Sequence, residues 1–114
     1  MEMENAISDI VSEHKSAGQD DVATISDHKV EVPKKYKVLI HNDDYTSMEF
    51  VVLVLQKIFH RTKLEAQEIM WQVHKQGVGV AGVYTKEVAE MKIMQVHRFA
   101  KQSKFPLKCS MEQE

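Results

Sequence analysis

Two helix-start signatures, Thr46-Ser47-Met48-Glu49 and Thr62-Lys63-Leu64-Glu65, constrain this chain more than any other feature. In each, a threonine hydroxyl can accept from the backbone N–H three residues on, while the glutamate reaches back to the threonine's own N–H. Two of the amides that a helix start leaves unpaired are thereby satisfied. Apolar residues follow each signature at helical spacing. The first helix, expected to run to about Phe59, carries Val51, Val54, Leu55 and Ile58; the second carries Ala66, Ile69, Met70 and Val73 and meets a stop at Gly77. Two amphipathic helices must bury those stripes against something.

The flanking segments supply the surface. Tyr36-Lys37-Val38-Leu39-Ile40-His41-Asn42 alternates as a strand does, with Tyr36, Val38, Ile40 and Asn42 on one face, and order is expected to begin at Lys35. Val78–Tyr84 reads as a second strand of β-branched residues and glycines. A third helix is expected from Thr85 with Ala89, Ile93, Val96 and Ala100 on one side, and Phe105-Pro106-Leu107-Lys108-Cys109 reads as a short edge strand, where a proline is tolerated. The order β-α-α-β-α-β predicts an α+β domain, a small three-stranded antiparallel sheet packed against three helices. About eighty residues suffice to bury one core without disulfide or metal support.

Composition divides the chain. Residues 1–33 hold no Phe, Tyr or Trp and carry eight acids against two lysines, a net charge of −6, whereas the remainder has thirteen bases and nine acids, net +4. Such a segment buries too little to offset its ordering entropy, so residues 1–34 are expected to form a flexible acidic extension, with room for a short helix around Ile7, Ile10 and Val11. Residues 35–114 are the expected folded domain. A net charge of −2 over 114 residues argues against bulk nucleic-acid binding. The longest apolar run, Phe50–Leu55, is far shorter than the roughly twenty residues a membrane helix needs. The lone Cys109 and the absence of an N-terminal basic-then-apolar leader point to a cytoplasmic protein.

Chemistry concentrates at the strand-to-helix junction Asn42-Asp43-Asp44-Tyr45-Thr46-Ser47-Met48, together with His74 on the rim of the second helix's apolar stripe. Side chains two apart on an extended segment share a face, so Asn42 and Asp44 can point the same way. If the second helix packs near that strand end, an amide oxygen, a carboxylate and an imidazole nitrogen converge. A primary ammonium, with three N–H donors and no acceptor, suits such a trio, provided His74 is neutral. Ile40, Met48, Val51, Met70, Val73 and Leu107 are apolar candidates around it.

Three other readings stand beside this one. An Asn-Asp-Asp run ahead of a helix is commonly turn and cap chemistry, which would make the domain a purely structural interaction module. Asp43, Asp44 and His74 are also residue types a small metal-dependent enzyme would use, although the histidines show no HxxxH pair and Cys109 has no thiol partner. A hydrolase triad lacks its nucleophile elbow. Trp71, mid-helix, reads as a packed residue.

The block Tyr36-Lys37-Val38 through Asn42-Asp43-Asp44-Tyr45-Thr46, with Met48-Glu49-Phe50, resembles the signature of the ClpS family, adaptors that deliver N-degron substrates to the Clp AAA+ unfoldase and its peptidase. Val73-His74, Gln76-Gly77, Gly82-Val83-Tyr84-Thr85, Glu87-Val88-Ala89-Glu90, Lys92 and Pro106-Leu107 continue the match over roughly residues 35–112. The resemblance implies a non-catalytic, cofactor-free monomer. In it, Asn42, His74 and an aspartate from Asp43 and Asp44 bind the α-amino group of a substrate's first residue, and Thr46 bonds the peptide backbone. Met48 gates entry for Leu, Phe, Tyr or Trp against β-branched side chains, and Ile40, Val51, Met70, Val73 and Leu107 line the hole. Periodicity favours Asp44 for the direct contact, leaving Asp43 to act through water or its field. Glu87 and Lys92 match positions that dock on the N-terminal domain of a ClpA-like or ClpC-like unfoldase, which also engages a flexible N-terminal extension. Ser47 stands where the family usually has proline and Ala81 where cysteine is common; neither is expected to alter more than local structure.

Overall fold

The computed structural model describes residues 31–114. The acidic extension up to residue 30, with the short helix read there, lies outside the described residues. From Lys35 onward the order is β1 (Lys35–His41), α1 (Met48–Lys57), α2 (Lys63–Gln76), β2 (Val78–Thr85), α3 (Lys86–Gln102) and β3 (Lys108–Gln113). The α+β order expected from the sequence is the one observed.

β1 is the middle strand of an antiparallel sheet in the order β2-β1-β3. Its alternation explains that position: Val38 and Ile40 face the helices and are fully buried, and Tyr36 is partly so. Asn42 falls just beyond the strand and is exposed. Against these strand residues pack Phe50, Val51, Val54 and Leu55 of α1, Ala66, Met70 and Val73 of α2, and Ala89, Val96 and Ala100 of α3. The three stripes read from helical spacing thus close one core. Phe50 adds an aromatic cluster, with ring centroids 5.0 Å from Phe99 and 4.6 Å from Phe105.

Between β1 and β2 the register slips, Val38 facing Gly82 and Leu39 facing Val80, so Ala81 bulges out of the ladder. Its freed carbonyl is taken up by Arg61, which donates from Nε at 2.9 Å and from Nη2 at 2.8 Å. The residue that departs from the family's usual cysteine is therefore a fully buried bulge residue.

Three boundaries differ from expectation. α1 is capped by Ser47, whose hydroxyl accepts from the Phe50 amide at 3.1 Å, and not by Thr46. The reason lies upstream: the Thr46 hydroxyl donates to the Asp43 carboxylate at 2.7 Å, so the next hydroxyl takes over the cap. α1 also ends at Lys57, before Phe59, as the chain turns through His60 at φ 55°. Finally, β3 starts at Lys108, not Phe105. Lys104 adopts φ 65°, and the Phe105 amide closes the end of α3 on the Ala100 carbonyl at 2.9 Å, which delays the strand until after Pro106. The second capping box, Thr62 with Glu65, forms reciprocally as expected.

Candidate functional site

The loop from Asn42 to Ser47 is built around one carboxylate. Asp43 Oδ1 accepts from the amides of Tyr45 at 2.8 Å and Thr46 at 2.7 Å, while Oδ2 accepts from the Thr46 hydroxyl at 2.7 Å. Partial burial pushes the Asp43 carboxyl up. The hydrogen bonds from the Thr46 hydroxyl and from the Tyr45 and Thr46 amides outweigh it and hold the group below its ordinary value. Both oxygens are thus engaged within the loop. Asp44 is exposed, and none of the loop's hydrogen bonds uses its carboxylate.

This asymmetry has a pH signature. A carboxyl whose folded value is lowered adds stability in full above its ordinary 3.8, and that stability is lost as pH falls through the lowered value. The difference in denaturant midpoint between wild type and Asp43→Ala is therefore expected to be flat above that range and to shrink below it. A difference independent of pH in acid would show that the carboxylate does not hold the loop.

A backbone bond decides what the loop faces. The Asn42 amide donates to the Gly77 carbonyl at 2.9 Å, which pins the end of β1 to the end of α2. Gly77 occupies the left-handed C-cap at φ 88°, where a side chain would be strained, and its own amide returns to Val73. His74 lies in that same last turn of α2 and is exposed. Asn42 and His74 therefore sit at one end of the domain, with Asp44 two residues into the loop that leads away.

Beneath them, Ile40, Val51, Met70, Val73 and Leu107 all belong to the buried core, whereas Met48 is 37 % exposed at the start of α1. Met48 and Met70 also border a groove of about 320 Å³ between α1 and α2, completed by Glu49, Val52, Lys63 and Gln67. From the sequence, Glu49 and Lys63 figure in helix starts, and none of the last four is assigned to the site. Their signal was available, since Lys63, Gln67 and Met70 share one helical face, as do Met48 and Val52.

Two residues have surroundings the sequence did not foretell. Trp71 is not packed in the core but 47 % exposed, its ring 5.8 Å from that of His74. Lys92 is partly buried: its ammonium donates to the Ile58 carbonyl at 2.6 Å and lies over the rings of Tyr84 and Phe59. It thus serves the C-terminal end of α1, where a cation offsets unpaired carbonyls. Glu87, in the first turn of α3, is exposed.

Burial pushes the Cys109 thiol up to about 12, so at neutral pH it is an uncharged core residue rather than a nucleophile. Among the described residues, no three His, Cys, Asp or Glu side chains are grouped as a metal site requires, and no helix is long and apolar enough to cross a membrane. What fold and site define together is a small α+β domain with exposed polar side chains, Asn42, Asp44 and His74, at the edge of an apolar core.

Comparison with known proteins gives that class its family. Residues 31–110 match the family model described as ATP-dependent Clp protease adaptor protein ClpS. The adapter protein ClpS of Desulfotalea psychrophila is 56 % identical over 96 residues, covering 84 % of this chain and 94 % of the relative. That of Desulfatibacillum aliphaticivorans is 58 % identical over 101 residues, covering 89 % and 95 %. Among solved structures, Agrobacterium tumefaciens ClpS2 bound to L-phenylalaninamide superposes with a TM-score of 0.70 at 36 % identity, over 73 % of this chain and all of that one. The chain belongs to the ClpS family: it is a non-catalytic adaptor of the ATP-dependent Clp protease.

Proposed function

We propose that residues 35–114 form a receptor for the first residue of N-degron substrates, which the adaptor hands to a Clp AAA+ unfoldase in the cytoplasm, acting as a monomer. The carrying observation is the division of labour within the loop. Asp43 spends both oxygens on Tyr45 and Thr46, while Asp44 stays exposed in the same loop, two residues beyond Asn42, whose backbone bond to Gly77 ties the loop to the turn bearing His74. In this reading the substrate's α-ammonium donates to the Asn42 amide oxygen, the Asp44 carboxylate and a ring nitrogen of His74. Asp43 acts on it only by shaping the loop and through its field. The Thr46 hydroxyl, whose proton goes to Asp43, keeps lone pairs that accept from a substrate backbone N–H.

The first side chain, from Leu, Phe, Tyr or Trp, enters past Met48 toward Ile40, Val51, Met70, Val73 and Leu107. The relative whose structure holds L-phenylalaninamide supports a free amine beside an aromatic ring as the ligand class. Glu87, exposed at the start of α3, and Lys92, close by on the same helix, are the docking positions for the unfoldase's N-terminal domain.

Met48 sets the gate by exclusion. Met48→Ala is expected to admit peptides that begin with Ile or Val, narrowing their disadvantage against Leu roughly tenfold, with the affinity for Phe changed far less. Fluorescence anisotropy of labelled peptides differing only in the first residue measures this. An unchanged Leu-to-Ile ratio would remove Met48 from the gate.

A further inference from the structure

We propose that Trp71 is a positioning residue for His74, holding its imidazole where an α-ammonium can reach it. The inference rests on the amine-site reading above and extends it to a residue outside that site. His74 is exposed on the last turn of a helix, where a side chain is free to change rotamer in water. A ring three residues earlier on the same helix is its natural neighbour. Trp71 stands there, with ring centroids 5.8 Å apart and planes at 75°, an edge-to-face arrangement within the favourable range for aromatic pairs.

The indole is in turn restrained by Lys75, four residues on, whose ammonium lies 5.7 Å from the indole centroid. Trp71, His74 and Lys75 thus form one surface ladder. Core packing does not account for the tryptophan, because Met70 and Val73 fill the buried stripe of α2 while Trp71 keeps nearly half its surface in water. Set against the ring of His74, the indole removes rotamers that would carry the acceptor away from Asn42 and Asp44.

The test uses the full chain and a labelled peptide beginning with Phe, free or acetylated at its amine. Trp71→Leu is expected to weaken the free-amine peptide roughly two- to tenfold, the loss corresponding to one aromatic pair. The residual binding of the acetylated peptide should not change, and Trp71→Phe should restore most of the affinity. In NMR spectra of the unliganded proteins, the His74 ring protons should lose their ring-current displacement in Trp71→Leu and keep part of it in Trp71→Phe. The unfolding midpoint of each variant checks that it folds.

Equal affinity of Trp71→Leu and wild type overturns the inference, as does a loss shared by both peptides or one with the His74 ring signals unmoved. If wild type itself binds acetylated and free peptides alike, the amine-site reading falls instead. The ring-proton comparison then still decides whether Trp71 holds His74.

Discussion

Acetylating the amino terminus of a peptide that begins with Phe is expected to weaken its binding to this chain about hundredfold or more. An ammonium offers three N–H donors and a full charge, whereas an acetylated amine offers one donor and none. At least two charge-assisted hydrogen bonds are lost, each worth about 1.5–3 kcal/mol, and about 1.4 kcal/mol is a factor of ten. The acetyl group must also fit against Asn42 and Asp44, which are left facing an uncharged atom.

The loop's asymmetry sharpens the expectation for single substitutions. Asp44→Ala should cost much of that factor directly without altering the unfolding midpoint, because its exposed carboxylate takes no part in the loop's hydrogen bonds. Asp43→Ala should reduce affinity and loop stability together, because three hydrogen bonds converge on it. Anisotropy titrations with free and acetylated peptides, paired with denaturant curves, separate the two. Equal affinity for both peptides would overturn the receptor reading. An Asp44→Ala protein that binds normally but unfolds more easily would return the loop to pure turn and cap chemistry.

The second large effect is expected at Gly79, where β2 passes under α2. A Cβ placed there would lie 2.7 Å from a Val73 methyl, 3.2 Å from the Gln72 side-chain oxygen and 3.3 Å from the Ile69 carbonyl. Gln72 can swing away, but the Ile69 oxygen belongs to the helix backbone and Val73 is locked in the core. Gly79→Val adds a branched side chain to that contact, so strand and helix must separate. The expected cost is about 3 kcal/mol, the upper end for overpacking, and a fall in Tm on the order of 15 °C for a domain of this size. Because α2 carries Met70, Val73 and His74, peptide affinity should fall in the surviving folded protein. A Tm within about 2 °C of wild type would mean that β2 and α2 are not held at the distance described.

Legibility in the sequence followed the range of the interactions. Thr62 and Glu65 form the capping box their spacing announces, because both bonds close within one turn. Thr46 and Glu49 show the same spacing, yet Ser47 caps α1, since Asp43 lies close enough upstream to claim the Thr46 hydroxyl and amide first. Two local solutions competed, and residue types alone do not rank them. The apolar stripes were readable because helical period decides which side chains share a face. Val54, Leu55, Val73 and Val96 are buried on that ground. The start of β3 was misplaced because the turn closing α3 uses Phe105, a residue that otherwise suits a strand.

The sequence by itself determined the order of the elements, the faces they bury and the family to which the chain belongs. Those follow from propensity, period and motif, which act over a few residues and need no partner. Tertiary structure alone decided that Asn42 meets the last turn of α2 through Gly77, that Arg61 satisfies the carbonyl of a bulge at Ala81, and that Lys92 closes the end of α1. It alone left Trp71 nearly half exposed instead of in the core. Each of these hydrogen bonds joins groups far apart in the chain, and its free energy appears only once packing has brought them together and taken their alternative partner, water, away.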